Sequence, residues 1–212
     1  MADSLRYLKQ EVHRLQEENR QLREEAVSLR QYVDSIQTLM AAIDEMDANT
    51  EVMPLLDRIL YNAMTVIDAK DGSLLVLDDE TGELVFVLVY GDVAEEKLVG
   101  YRLPPGKGIA GWVAQNRKAT IVNNVRADSR FFPGVDDAFQ FHTQSILAAP
   151  IVGANKVLGV IEVVNKHNGR PFDPTDQILL TLLCRFAGEI LNTMVQQGEK
   201  QEIEAKPPEP GT

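Results

Sequence analysis

One cysteine, Cys184, stands among 212 residues. No disulfide can form within the chain, and a reducing cytoplasm is the compartment expected. No apolar run approaches the roughly 18 residues of a membrane-spanning helix. The opening stretch "MADSLRYLKQEVHRL" lacks the apolar segment of a secretory signal. Positive charge is scarce: 21 Lys and Arg against 32 Asp and Glu leave a net charge of −11, which argues against a broad nucleic-acid footprint. No Ser/His/Asp set and no metal-spaced cluster stands out, so catalysis is not expected. What is present is a 44% apolar composition, enough to bury a real core, over a length that fits one domain with an appendage.

The appendage comes first. Stepping by three and four from Leu5 gives Leu8, Val12, Leu15, Asn19, Leu22, Ala26, Leu29, Val33, Ile36, Met40 and Ile43. The step order never breaks, which makes a heptad repeat with Leu at most d positions and Val at two a positions, Val12 and Val33. That choice favours two parallel strands. In "QEENRQLREE", residues 16–25, Asn19 interrupts the seam at an a position. Two such Asn side chains can hydrogen-bond across a parallel dimer, whereas a slipped or antiparallel pairing leaves each facing hydrocarbon, at about 1–3 kcal/mol per unmet group. Across the same dimer Glu18 would face the partner's Arg23 and Glu25 the partner's Arg30, both pairs of attractive sign. Each exposed pair contributes only about 0.2–1 kcal/mol, so their role is orientation. The organisation expected is a parallel dimeric coiled coil over 1–46, a folded domain over 50–196, and a disordered acidic, Pro-rich tail over 197–212.

Within the domain, Asn49 or Thr50 can cap a helix carrying Pro54 in its first turn and an apolar face from Val52 to Ile67. The period then falls to two. "GSLLVLDDETGELVFVLVYG" predicts a hairpin turning at Glu80-Thr81-Gly82. A short strand, a Pro/Gly turn, a short helix with Ile109, Trp112 and Val113, and another short strand follow. "SILAAPIVGANKVLGVIEVVNK" predicts a second hairpin, turning at Gly153-Ala154-Asn155. The last helix starts at Asp173 as N-cap with Pro174 after it, and runs to about Val195. Its apolar residues cover two adjacent faces, one more than a surface helix needs, so the second is expected to meet a partner subunit. The element order argues α+β, a mainly antiparallel sheet with terminal helices on one face.

Several local patterns have plainer readings. "GKGIAG" at 106–111 spells a dinucleotide fingerprint, but Pro104-Pro105 break the strand before it and no βαβ unit surrounds it; it reads as a glycine turn that lets Trp112 pack closely. Cys184 reads as a small core or interface residue. His142 reads as a hydrogen-bonding loop residue, and Asp136-Asp137 as a solvated loop.

The stretches "PGKGIAGWVAQNRKATIVNNVRADSRFFP" and "LAAPIVGANKVLGVIEVVNKHNGRPFDPTDQILL" resemble the GAF domain family, over residues 51 to 195 and in order. The resemblance implies a central antiparallel sheet of about six strands, dimer-forming terminal helices on one face, and a small-molecule pocket on the other, a cyclic nucleotide being one possible ligand. Its wall would include Ser73, Ile109, Ala110, Asn124, Asp128, Phe131, Phe141, Thr143 and Glu162. Phe131 or Phe141 would stack on a flat ring, amides near Gly108 would take an anion, and Arg130 is the nearest cation. The alternative is that these aromatics fill a second core and no ligand binds. Asn165, Lys166, Phe172 and Asp176 match a signature of cyclic-nucleotide-binding members, with Gln177 where those carry Glu. Its physical role would be a Lys166–Asp176 ion pair tying the last strand to the last helix. Pigment-carrying relatives use a cysteine beside a histidine, and methionine-sulfoxide-reducing relatives use several cysteines; Cys184 fits neither. The function expected is a non-enzymatic cytoplasmic signalling homodimer that binds a small molecule or a protein and passes its state along the rod to a downstream signalling protein, with neither membrane nor nucleic acid as partner. The alternative is an adaptor whose GAF domain is empty.

Overall fold

The computed structural model describes residues 2–44, 52–91, 98–167 and 169–205. They fall into two compact units, Met1–Ala41 and Ala42–Thr212. The first is formed by helix α1, Ala2–Asp44, unbroken over 43 residues, about 65 Å at 1.5 Å per residue. The helix has no glycine or proline to interrupt it. Among the described seam residues, Leu8, Val12, Leu15, Leu22 and Val33 are each about half exposed. Glu18 bonds within its own helix to Arg14 at 3.2 Å, one turn back, in an exposed pair.

The second unit begins with α2, Val52–Ile67, which buries Val52, Leu55, Leu56, Ile59, Leu60, Ala63 and Ile67. This is the expected face; the expected caps Asn49 and Thr50 lie outside the described residues. Six strands follow: β1 Ala69–Leu77, β2 Leu84–Tyr90, β3 Arg102–Leu103, β4 Thr120–Val122, β5 Ile146–Gly153 and β6 Lys156–Lys166. They form one sheet in the order β3-β2-β1-β6-β5-β4, each pair antiparallel. Both hairpins turn where the sequence predicts. β1 starts earlier than its hairpin motif, at Ala69, because Asp68 takes a left-handed φ of 59° and ends α2, leaving Ala69 to pair with Lys166.

Short elements join β3 to β5: α3 Gly108–Asn116, a 3-10 turn at Val125–Ala127, and α4 Gly134–Phe139. The glycine run before and within α3 is structural. Gly106 and Gly108 both take φ of +72°, and a Cβ on Gly111 would sit 2.5 Å from the Gly106 carbonyl carbon. The final helix α5, Pro174–Ala205, is capped reciprocally: Asp173 accepts from the Thr175 and Asp176 amides, and Asp176 accepts from the Asp173 amide.

One expectation needs correcting here. The helix does not stop near Val195 but runs on to Ala205, into the segment expected to be a tail. "GEKQEIEAK" is charged but built of strong helix formers, and its first proline comes at Pro207; residues beyond 205 lie outside the described set.

Strand alternation divides the core. Leu147, Ala149 and Ile151 of β5 and Ile161 and Val163 of β6 are buried apart from the second cluster, which holds Ile146, Ala148, Val160, Val164 and the α3 residues Ile109, Ala110 and Val113. On the first face α5 lies on β5 with almost nothing between them. A Cβ on Gly188 would meet the Val152 carbonyl oxygen at 2.1 Å, and one on Gly153 the Gly188 oxygen at 2.7 Å. Buried Cys184 donates to the Ala149 carbonyl at 3.5 Å, and burial pushes its thiol far above the ordinary range, as a core residue requires.

Candidate functional site

The second face holds a cavity of about 80 Å³ between β1, β6, α3 and the loops around α4. Its origin is the size of three residues in one row. Glu162 of β6 pairs with Ser73 of β1 on one side and Ala148 of β5 on the other, and two small neighbours leave space above the carboxylate. Ile109 and Ala110, in the first turn of α3, lean over it, and Phe131, Phe141 and Thr143 close the far side.

These seven, Ser73, Ile109, Ala110, Phe131, Phe141, Thr143 and Glu162, are the expected wall residues that border the cavity. Three others do not: Asn124, Asp128 and Arg130 lie outside it. Asp128 takes the Arg130 amide, Nε and Nη2 at 2.9, 2.9 and 2.6 Å. Arg130 thereby holds the Asp128 carboxyl below the usual range, and its guanidinium lies 4.5 Å from the Trp112 ring centroid. A two-residue spacing and a nearby indole satisfy this arginine locally. Asn124 is exposed and precedes the 3-10 turn, its carbonyl accepting from Ala127.

The sequence reading missed Asp136. It is buried, not solvated. It accepts from the Thr143 amide and hydroxyl and pairs with Arg126 at 2.8 Å, fastening α4 to the loop that carries Phe141. Asp71 and Phe132 also border the cavity. The aromatics Phe131, Phe132, Phe139 and Phe141 do pack against the second core, and they leave the cavity beside it.

Glu162 is the distinctive group. Burial pushes its carboxyl from 4.5 up to about 7, and the Ala110 amide, which favours the ionised form, only partly opposes this. One of the α3 amides expected to take a ligand anion thus already faces the protein's own carboxylate.

The expected signature forms its tie. Lys166 Nζ meets Asp176 Oδ2 at 2.7 Å, both largely buried, over the Phe172 ring. Asn165, at φ 51°, accepts from the Gln144 and Ser145 amides and donates to the His142 carbonyl. Gln177 donates to the Ala119 carbonyl at 3.2 Å, a bond a glutamate could not make when ionised. None of these four signature residues borders the cavity.

Comparison with known proteins places this geometry in a family. The chain is 29% identical over 143 residues to a probable 3′,5′-cyclic phosphodiesterase of Caenorhabditis elegans, covering 64% of this chain and 20% of that protein. It is 29% identical over 169 residues to the dual 3′,5′-cyclic-AMP and -GMP phosphodiesterase 11 of Drosophila melanogaster, covering 74% of this chain and 12% of that one. The chain thus spans a fifth or less of the phosphodiesterases it matches. The fold resembles the GAF domain of an Acinetobacter phosphoenolpyruvate-protein phosphotransferase, with a TM-score of 0.64 at 20% identity, over 79% of this chain and 97% of that one. The GAF domain profile matches residues 51–192, and with the six-stranded antiparallel sheet in place the chain belongs to the GAF domain family.

Proposed function

We propose that this chain is a non-enzymatic signalling protein whose GAF domain binds a small molecule and whose N-terminal helix pairs in parallel with that of a second copy to relay the bound state. The observation that carries the reading is the cavity: an apolar space with a few polar groups, which is how small-molecule sites are built. The relatives support a regulatory role, since the matched region is their GAF domain. The heptad seam of α1, with Leu8, Val12, Leu15, Leu22 and Val33 half exposed and Asn19 at its interrupted position, supports the parallel pair. The recipient of the signal is a downstream protein, and the acidic charge disfavours nucleic acid.

The ligand is smaller than a cyclic nucleotide unless the wall opens. About 80 Å³ is roughly half the ~150 Å³ in which an engineered apolar cavity holds benzene. The same small volume favours a second reading, an adaptor with an empty GAF domain that uses its helices for assembly.

Mass analysis of the gently purified, then denatured, full chain tests the sensor: a small molecule retained in proportion to protein supports it. Thermal shifts with 3′,5′-cyclic AMP and cyclic GMP test the nucleotides that the names of the matched phosphodiesterases carry. Light scattering tests the pair, for which twice the 23.6 kDa chain mass is expected. A monomer at micromolar concentration overturns the relay, and a dimer that neither retains nor binds any small molecule leaves the adaptor.

A further inference from the structure

Residues 104–135 carry five cations, Lys107, Arg117, Lys118, Arg126 and Arg130, and one acid, Asp128. That is a net charge of +4 inside a chain of −11. Two of the five are compensated: Arg126 pairs with Asp136 at 2.8 Å and Arg130 with Asp128 at 2.6 Å. At the Lys107 end the acidic β1–β2 turn comes close, since a Cβ on Gly82 would lie 3.4 Å from Pro105. The positive charge therefore gathers at the other end of α3.

There Arg117 and Lys118 follow the last helical residue, both exposed. Arg117 Nη2 donates to the Asn155 carbonyl at 2.7 Å, which sets the β5–β6 turn beside it, with exposed Lys156 next in sequence. Among the described residues no carboxylate lies within ion-pair reach of Arg117, Lys118 or Lys156. A bond to a neutral carbonyl leaves the charge of Arg117 intact. Its backbone is also unusual: φ 54° and ψ 35° make it the left-handed residue after a helix, where glycine is the ordinary choice. An arginine held there against backbone strain, for one exposed hydrogen bond, contributes little to the fold. It does fix a cation at the surface. Further back on α3, Trp112 is half-buried with the Arg130 guanidinium 4.5 Å from its ring centroid, a flat apolar border to the patch.

Size and charge select the occupant. Fixed charges act over about 8 Å at physiological ionic strength. A short acidic segment stays within that range of the three cations. A nucleic-acid duplex or an anionic bilayer reaches past it, onto a surface whose remaining charge is negative.

We propose that the C-terminal end of α3 and the β5–β6 turn form a docking surface for a short acidic segment of the downstream protein. Arg117 offers its remaining N–H groups to a carboxylate, Lys118 and Lys156 flank it, and Trp112 packs against an apolar residue beside the acids. This rests on the reading above that the signal passes to another protein, and names how that protein is held.

Acetylated, amidated hexaglutamate titrated into the full chain at low ionic strength tests it, with hexaglutamine and oligothymidylate as comparison probes. The signals are the Lys118 and Lys156 amide resonances and the fluorescence of Trp112, the single tryptophan. Hexaglutamate should shift them to saturation, and added salt should weaken it. Arg117→Gly, Lys118→Gln and Lys156→Gln together should weaken binding about tenfold, while the melting point holds or rises, because glycine suits the left-handed position. Removing the same charge at other exposed positions, by Lys9→Gln, Arg58→Gln and Arg185→Gln, should weaken it far less. If the first triple variant unfolds, Lys118→Gln with Lys156→Gln serves, and a severalfold loss is expected. Equal binding of hexaglutamine, equal losses in the two triple variants, or tighter binding of oligothymidylate than of hexaglutamate overturns the inference. Silence from hexaglutamate at millimolar concentration also overturns it; light scattering and the retained-molecule analysis then judge the signalling reading separately.

Discussion

Glu162 makes stability depend on pH in a defined direction. Its folded-state value near 7 lies above the ordinary 4.5, so between those limits the native chain holds a proton that the unfolded chain has released. Its contribution is complete below about pH 4.5 and is lost as pH rises through 7, by about 3 kcal/mol at most. Glu162→Gln should therefore be close to neutral at pH 4.5 and stabilising at pH 8. Urea titrations at the two pH values check this, and equal effects at both would show that the carboxylate is not buried as described. At this scale the sequence was legible where the family pattern marked a strand position, as at Ser73 and Glu162. It was not legible at Asp136, whose burial depends on Arg126 and Thr143 arriving from other segments. Arg130 misled because a charge two residues away consumed it.

Elements were easier to read than sites. Hydrophobic period located α2 and both hairpins, because a core face imposes its spacing on the sequence, and the Asp173-Pro174 cap located the start of α5. The end of α5 was missed since charged helix formers and a charged tail look alike in composition. Two ties between elements give measurable expectations. Lys166→Met leaves Asp176 buried without its cation, and should cost about 3 kcal/mol in chemical denaturation; a loss below ~1 kcal/mol would mean that water replaces the ammonium. Gly111→Ala drives a methyl into the Gly106 backbone and should cost about 2 kcal/mol. Trp112, the single tryptophan, stands next to the change and under Arg130, so its fluorescence should shift in the native state; an unaltered spectrum and melting point would show that the turn yields freely.

For the whole molecule the expectation concerns assembly. Asn19→Val fills the one polar step of the seam, and should raise the midpoint of thermal unfolding while admitting trimers or tetramers visible by light scattering. An unchanged mass distribution and melting curve would leave Asn19 without a specifying role. The heptads were plain in the sequence, since repetition at seven is visible without any fold, whereas what the rod pairs with is a property of two molecules and no single chain contains it. One contact in the GAF domain limits how that domain can deform. Gly153 and Gly188 let α5 rest on β5 backbone to backbone. Turning the helix about its axis would swing a neighbouring side chain into the Val152 carbonyl, which restricts torsional play. Because the same strand carries Ala148 beside Glu162 on its other side, an occupant that tilts β5 must tilt the helix with it.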